Sequence, residues 1–295
     1  MEQQTEITAK LDTAKLAEAW LKRKGSKPKI LLDISTGAQT DLGRMRENNE
    51  DKFVIVEPEE TELLAIKGSF YAVADGMGGH ASGQIASELA LKTIVKTYYA
   101  DPSDDVPESL KAAFQAANSF IYDTAQVVAE RNGMGTTCTS IVLRDDDLYC
   151  GHVGDSRCYL IRGGEIRQVS EDHSWVAEQV KRGALTEQEA EMSPFRNVIT
   201  RSLGASPELE VDVYQEKVEK DDVLVLCSDG LSGYVTNDRI LELVTAWSPS
   251  MAALKLIDSA NESGGGDNIT VVVVAVREIE KAKGRSRLKK LLGRV

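Results

Sequence analysis

A chain of 295 residues with 42% apolar residues and a formal net charge of −12 can bury a sizeable core in one large domain or two ordinary ones. The acid excess argues against binding nucleic acid or anionic lipid through the overall field, and it supplies carboxylates, which are hard oxygen ligands for divalent cations. The four cysteines form no CxxC pair and three sit in apolar runs, so they read as buried small hydrophobes; with no secretory pattern and no apolar stretch near about 18 residues, a soluble cytoplasmic protein is expected.

In chain order, residues 1–33 read as an N-terminal extension. Asp12 can cap a helix through Leu16, Trp20 and Leu21 that Gly25 ends. Phe53–Val56 and Phe70–Ala74 read as strands. Helices follow at about 82–99, with Ile85, Leu89, Ile94 and Val95 inward, and at about 106–131. Strands are expected at Thr137–Leu143, Asp147–Val153 and Arg157–Ile161, joined by turns at 144–146 and 154–156. Gly163-Gly164 reads as a hairpin turn before a strand at Glu165–Val169. Residues 172–204 are more polar and read as an insertion over the main body. Strands resume at Leu209–Val213 and Val223–Cys227, and helices fit 237–246 and 250–261. Ile269–Val276 is apolar on both faces and belongs in the interior of a packed sheet.

Residues 279–295 read as a basic tail, with seven Lys or Arg and no acid from Lys281 onward. Two readings stay open for it, a solvated tail and an electrostatic contact with an acidic partner or membrane surface. Consecutive hairpins with helices arriving in pairs point to an α+β arrangement, sheets packed on each other with helices outside.

Four acidic positions share one design. Asp75-Gly76 and Asp229-Gly230 follow strands, while Glu50-Asp51 and Asp267 stand just before strands. One Asp-Gly at a strand end is usually a turn. Four carboxylate groups at strand ends, in a chain with three histidines, point to a site for divalent cations. Converging carboxylates repel, and two cations that share a bridging carboxylate relieve the repulsion and acidify a bound water. Gly76 would let its carbonyl approach a cation closely. Arg46, five residues before Asp51, suits a phosphate dianion, and Arg44 competes for that role. No HExxH, GxSxG or Walker A sequence occurs. Gly76–Ala81 loosely fits a dinucleotide fingerprint, but Asp75 would face the pyrophosphate.

The segments TDLGRMRENNED (40–51), FYAVADGMGGHASGQIAS (70–87), GTTCTSIVL (135–143), GHVGDSRCYL (151–160), VLVLCSDGLSG (223–233) and GGDNITVVVV (265–274) resemble the metal-dependent serine/threonine protein phosphatases of type 2C, in the bacterial form. The resemblance spans about residues 38–277. It implies a four-layer α-β-β-α sandwich, with two antiparallel sheets face to face and helices outside, over residues 34–278 and with 172–204 as a flap. It implies two or three Mn²⁺ or Mg²⁺ and hydrolysis of phosphoserine and phosphothreonine by a hydroxide held between two ions. Asp75 would bridge the ions, with the Gly76 carbonyl on one of them. Asp229 and Asp267 would complete the first ion. Glu50 would reach the second, with Asp51 beside it. Asp155 and Asp229 would hold a third. Arg46 would hold the phosphate, and Asn268 would shape the loop at Asp267. Where animal members carry a histidine after the Asp-Gly pair, this chain has Met77, and the candidate proton donors are His80, three residues on, and a metal-bound water. The implied partners are phosphorylated proteins, serine/threonine kinases and their substrates; a monomer is expected. A non-catalytic scaffold of the same fold would lack metal carboxylates, and none is missing here. A regulator of the anti-sigma type would usually lack DGMGGH and the flap.

Overall fold

The computed structural model describes residues 27–78 and 82–282. The helix expected within the N-terminal extension, His80, and the basic tail beyond Ala282 lie outside these residues. Strand β1 (Ile30–Asp41) leads to β2 (Lys52–Val56), helix α1 (Thr61–Lys67), β3 (Ser69–Ala74) and the short β4 (Gly76–Met77). The helix pair α2 (Ser82–Ala100) and α3 (Val106–Val127) comes next. Then follow β5 (Gly135–Thr136), β6 (Cys138–Arg144), β7 (Asp147–Val153), β8 (Arg157–Arg162) and β9 (Glu165–Gln168). Two short helices, α4 (Trp175–Lys181) and α5 (Glu187–Glu191), lie within 172–204. The chain continues through β10 (Asp212–Lys217), β11 (Val223–Cys227), the helical turn α6 (Asp229–Ser232), the pair α7 (Asn237–Ala246) and α8 (Pro249–Glu262), and β12 (Ile269–Lys281).

Two antiparallel five-stranded sheets result, in the orders β1-β12-β11-β8-β9 and β10-β7-β6-β3-β2. Side chains on a strand alternate between faces, and that alternation builds the layers. Phe70, Ala72 and Ala74 of β3 pack under α2 and α3, while Tyr71 and Val73 face the other sheet. Val271 and Val273 of β12 pack under α7 and α8, while Val272, Val274 and Val276 face β3 and its neighbours. The product is the expected α-β-β-α sandwich with three apolar layers, and the two-faced β12 lies between β1 and β11.

Caps and turns fix the connections. Asp105 accepts from the Glu108 N–H at the start of α3, where Pro107 follows in the first turn. Thr186 and Glu189 form a reciprocal capping box on α5. Gly163 and Gly164, at φ 60° and 85°, make the β8–β9 turn expected from the Gly-Gly pair.

Several boundaries differ from the sequence reading. β1 takes in residues 30–33, read as extension, and β12 runs on to Lys281, past 278. The two strands pair over their whole length, from Ile30 opposite Lys281 to Asp41 opposite Ile269. Strand β1 itself was not expected: its Ser35–Gln39 stretch is small and polar. The strand expected at Leu209–Val213 forms instead at Asp212–Lys217. Leu209 and Val211 turn into the helix-covered core, and the polar residues after them find the free edge of β7. The helix read to 131 ends at Val127, followed by a single 3₁₀ turn. Helix α1 was not expected at all.

The layer between the sheets holds the frame together. Leu226 is fully buried in it. Leu226→Ala should cost about 2–5 kcal/mol of unfolding free energy in urea, whereas Val127→Ala, on an 83% exposed residue, should change it by less than about 0.5 kcal/mol. Equal effects from the two variants would contradict the buried inter-sheet layer.

Candidate metal centre

Strand register gathers the acidic positions at one edge of the sandwich. Lys52, at the start of β2, pairs with Ala74 at the end of β3, so Asp51 and Asp75 emerge together. Cys227, at the end of β11, pairs with Val271 of β12, and Asp41 pairs with Ile269, so Asp229 and Asp267 emerge beside the loop at 42–50. Asp155 sits in the β7–β8 turn, whose flanking Gly154 and Ser156 both meet Thr137.

Both Asp-Gly glycines are required by close approach of other backbone. A Cβ at Gly76 would lie 2.1 Å from the carbonyl oxygen of Gly83, and one at Gly230 would lie 1.9 Å from that of Asn268. The first contact pins the start of α2 to the Asp75 strand end, and the second pins α6 to the loop at Asp267. Asp229 is not in a simple strand-end turn. It opens α6, with Ser228 in the capping position.

The carboxyls are crowded. Burial first, then the charges of Asp51, Asp229, Asp155 and Asp267, push Asp75 well above the usual carboxylate range. Asp75 keeps some accessible surface even so; its carboxyl is surrounded by protein but not sealed. Burial, followed by the nearby acids, pushes Asp51 up to about 7 even though Ser228 and Thr270 pull it down. Burial, then the charge of Asp229, pushes Asp155 up to about 8. Asp229 is raised by burial and by Asp267, and its carboxyl lies within hydrogen-bonding reach of Asp75. Glu50 is raised mainly by burial, and its carboxylate lies over the backbone of Gly83.

The donor set fits divalent cations. Asp51 Oδ1, Asp155 Oδ1 and Asp229 Oδ1 are buried with no hydrogen-bond partner, although buried polar atoms are nearly always paired. Hard cations accept such oxygens and keep part of their water shell. Among the described residues no three Asp, Glu, His or Cys side chains are already arranged to hold a metal ion.

Arg46 joins the cluster. Its Nη2 donates to Asp267 Oδ2 at 2.7 Å, and its half-exposed guanidinium also feels Asp75 and Asp229. Arg44 is exposed, its N–H donates to the Gly265 carbonyl, and its side-chain stem packs against Gly265. Asn268 accepts from the Glu50 N–H at 2.8 Å and donates to the Leu42 and Asn48 carbonyls, so it shapes the whole 42–50 loop as well as its own. Met77 lies in β4 opposite Gly135, and His80 is outside the described residues.

Sequence reasoning missed the hydroxyls that hold these acids. Thr137 Oγ1 accepts from the Asp75 N–H at 3.0 Å and lies 2.7 Å from Ser156 Oγ, while Thr136 Oγ1 donates to the Asp75 carbonyl. Thr136 and Thr137 stand 61 and 62 residues from Asp75, so nothing in the local sequence marks them. His173 is buried as well. Its Nδ1 accepts from the Gly154 N–H, so Nε2 carries the proton and donates to Asp212 Oδ2 at 3.1 Å. Arg201 donates to the other Asp212 oxygen, and the 172–204 segment is thereby clasped to the Asp155 turn.

A carboxyl whose folded pKa exceeds its unfolded value holds its proton more tightly when folded. Its contribution to stability is greatest below about pH 4 and is lost as pH rises through the folded value. For Asp155 that window runs from near its unfolded value of 3.8 up to about 8. In cation-free protein, Asp155→Asn should therefore melt above the parent at about pH 9, by the equivalent of roughly 1–3 kcal/mol, and lose that advantage near pH 4. A difference that does not change with pH would contradict the crowding.

The family model described as protein phosphatase 2C matches residues 37–179. The serine/threonine protein phosphatase PstP of Mycobacterium tuberculosis is 37% identical over 248 residues, covering 84% of this chain and 46% of that protein, so this chain spans about half of it. The serine/threonine phosphatase stp of Listeria welshimeri is 33% identical over 253 residues, covering 84% of this chain and 98% of that protein. A solved PstP catalytic domain in complex with two manganese ions superposes with a TM-score of 0.72 at 35% identity, covering 83% of this chain and 99% of that one. Family model, relatives and sandwich agree, and the chain belongs to the protein phosphatase 2C family.

Proposed function

We propose that this chain removes phosphate from phosphoserine and phosphothreonine in proteins, using two or three Mn²⁺ or Mg²⁺. The observation that carries the reading is the convergence of Asp51, Asp75, Asp155, Asp229 and Asp267 at one edge of the sandwich, with three buried oxygens lacking any partner. Relatives of matching length are serine/threonine phosphatases, and a related structure holds two manganese ions.

Asp75 would bridge two ions, with the Gly76 carbonyl on one. Asp229 and Asp267 would serve the first ion, Glu50 and Asp51 the second, and Asp155 with Asp229 a third. Bound cations supply charge neutralisation at the phosphoryl group and acidify water to a nucleophile at neutral pH. The chain's own residues orient the substrate. Arg46 uses one Nη atom on Asp267, and its exposed donors are free to grip equatorial phosphoryl oxygens, where charge grows in the transition state. The same Asp267 contact restrains Arg46 before substrate arrives, which lowers the entropy lost on binding. His80 and water both remain as sources of the leaving-group proton. The substrates are phosphorylated proteins, including serine/threonine kinases and their targets. Among the described residues no helix is long and apolar enough to cross a membrane. We assign the chain to the cytoplasm as a monomer, and the charge of its basic tail would suit an acidic partner or membrane surface.

Purified protein should hydrolyse a phosphothreonine peptide with Mn²⁺ or Mg²⁺ and stop in EDTA. Asp229→Asn should lower kcat by at least about 100-fold, and Arg46→Ala should lower kcat/KM by roughly 10–1,000-fold. A chain inert with both metals, or an unaffected Asp229→Asn variant, would overturn the reading.

A further inference from the structure

Asp51 is buried beneath the other carboxylates, and its two oxygens are treated differently. Oδ2 accepts a 2.6 Å hydrogen bond from Ser228 Oγ, whereas Oδ1 is buried with no partner. The Ser228 hydroxyl is itself held. Its oxygen accepts from the Thr270 N–H at 3.0 Å, and the Ser228 N–H donates to the Thr270 carbonyl. The Thr270 side chain also reaches Asp51 and lies 2.7 Å from Thr40 Oγ1. Thr40 Oγ1 accepts from Asn49 Nδ2 at 2.8 Å, and Asn49 Oδ1 accepts from the Asp51 N–H. The circuit therefore closes on the residue it serves. Thr40, Asp51, Ser228 and Thr270 are all buried, at 8%, 1%, 0% and 0% exposure.

The direction of the bonds follows from the donor inventory. An ionised carboxylate only accepts, so Ser228 donates to Asp51 Oδ2. Thr270 Oγ1 and Thr40 Oγ1 share one hydrogen bond, in which either hydroxyl can be the donor. Thr40 Oγ1 also accepts from the Asn49 amide nitrogen, which can only donate. The Ser228 hydroxyl is committed to one oxygen of Asp51, and the other oxygen is left as an acceptor among Asp229 and Asp267. The circuit also links three ligand-bearing segments. Asn49 precedes Glu50, Ser228 precedes Asp229, and Thr270 follows Asp267 by three residues.

We propose that Ser228, Thr270 and Thr40 are positioning residues: a hydroxyl relay that fixes the plane of the Asp51 carboxylate so that Oδ1 faces the cation shell, thereby setting the site's affinity for divalent cations. The proposal rests on the functional reading above. It goes beyond that reading in assigning affinity to residues that carry no charge and touch no substrate. A carboxylate without such partners turns about its last torsion and meets a cation in many orientations. Loss of an outer-shell partner typically costs about 10–100-fold in metal affinity.

The test is a calorimetric titration of Mn²⁺ into cation-free wild type, Ser228→Ala, Thr270→Val and Thr40→Val, with Thr270→Ser as the hydroxyl-retaining control. Ser228→Ala and Thr270→Val should each raise the Mn²⁺ Kd by about 10–100-fold. Thr40→Val, one bond further out, should raise it less, and Thr270→Ser should stay near wild type. With a phosphopeptide substrate, the defect should appear in the Mn²⁺ concentration needed for half-maximal rate and largely vanish from kcat at saturating Mn²⁺. Should Ser228→Ala fail to fold by circular dichroism, the Thr270→Val and Thr270→Ser pair carries the same comparison at constant shape. Folded variants that bind Mn²⁺ as tightly as wild type, or that lose kcat at saturation with affinity unchanged, overturn the relay alone. A wild type that binds no Mn²⁺ overturns the functional reading beneath it.

Discussion

Carboxylates brought together out of water repel one another, and the rest of this site is arranged around that repulsion. Asp75 stands at its centre, burdened first by burial and then by Asp51, Asp229, Asp155 and Asp267. Without cations the cost shows as raised proton affinity of the acids, and the Arg46 ion pair to Asp267 and the Ser228 hydroxyl on Asp51 offset part of it. Divalent cations remove the same cost more completely, because each adds two positive charges where the field is most negative. The features that make the cluster unfavourable without cations are therefore those that suit it to divalent cations.

Such a cluster needs a rigid mount, and the sandwich supplies one. Adjacent antiparallel strands deliver their ends to the same edge, so β2 with β3 and β11 with β12 place two pairs of acids side by side. The inter-sheet layer of Tyr71, Val73, Leu226, Val272 and Val274 fixes the distance between those pairs. Close backbone contacts at Gly76 and Gly230 then lock the loops that carry the acids to α2 and to Asn268. The segment at 172–204 joins through a clasp of three side chains, His173, Asp212 and Arg201, which is anchored on the Gly154 backbone beside Asp155.

Much of this was legible in the amino-acid order, for physical reasons. Strands β7, β11 and the first part of β12 announce themselves because both faces are buried and the runs are continuously apolar. Helices α7 and α8 carry clear start signals in Thr236 and Pro249. Strand β1 was not read as a strand, because its Ser35–Gln39 stretch is small and polar, and β10 was placed early, because the apolar Leu209 and Val211 belong to the helix-covered core. Four carboxylate groups at strand ends pointed to one cluster, because a single one is usually a turn whereas several that converge repel one another. The hydroxyl relay could not be read, because Ser228 and Asp51 stand 177 residues apart and Thr40 and Thr270 stand 230 apart. A serine beside an aspartate has no sequence signature; only the fold shows which carboxylate it serves. The glycines of the two Asp-Gly pairs were recognised, but the backbone packing that demands them is tertiary.

The most direct test of the central claim, that the strand-end acids form a cation-holding centre, is anomalous diffraction at the manganese edge from crystals grown with Mn²⁺. The account predicts two or three manganese peaks within the cluster of Asp75, Asp229, Asp267, Asp51 and Asp155, with Asp75 shared between two of them. Crystals saturated with Mn²⁺ that show no peak there, or peaks only at other acidic surface residues, would contradict it.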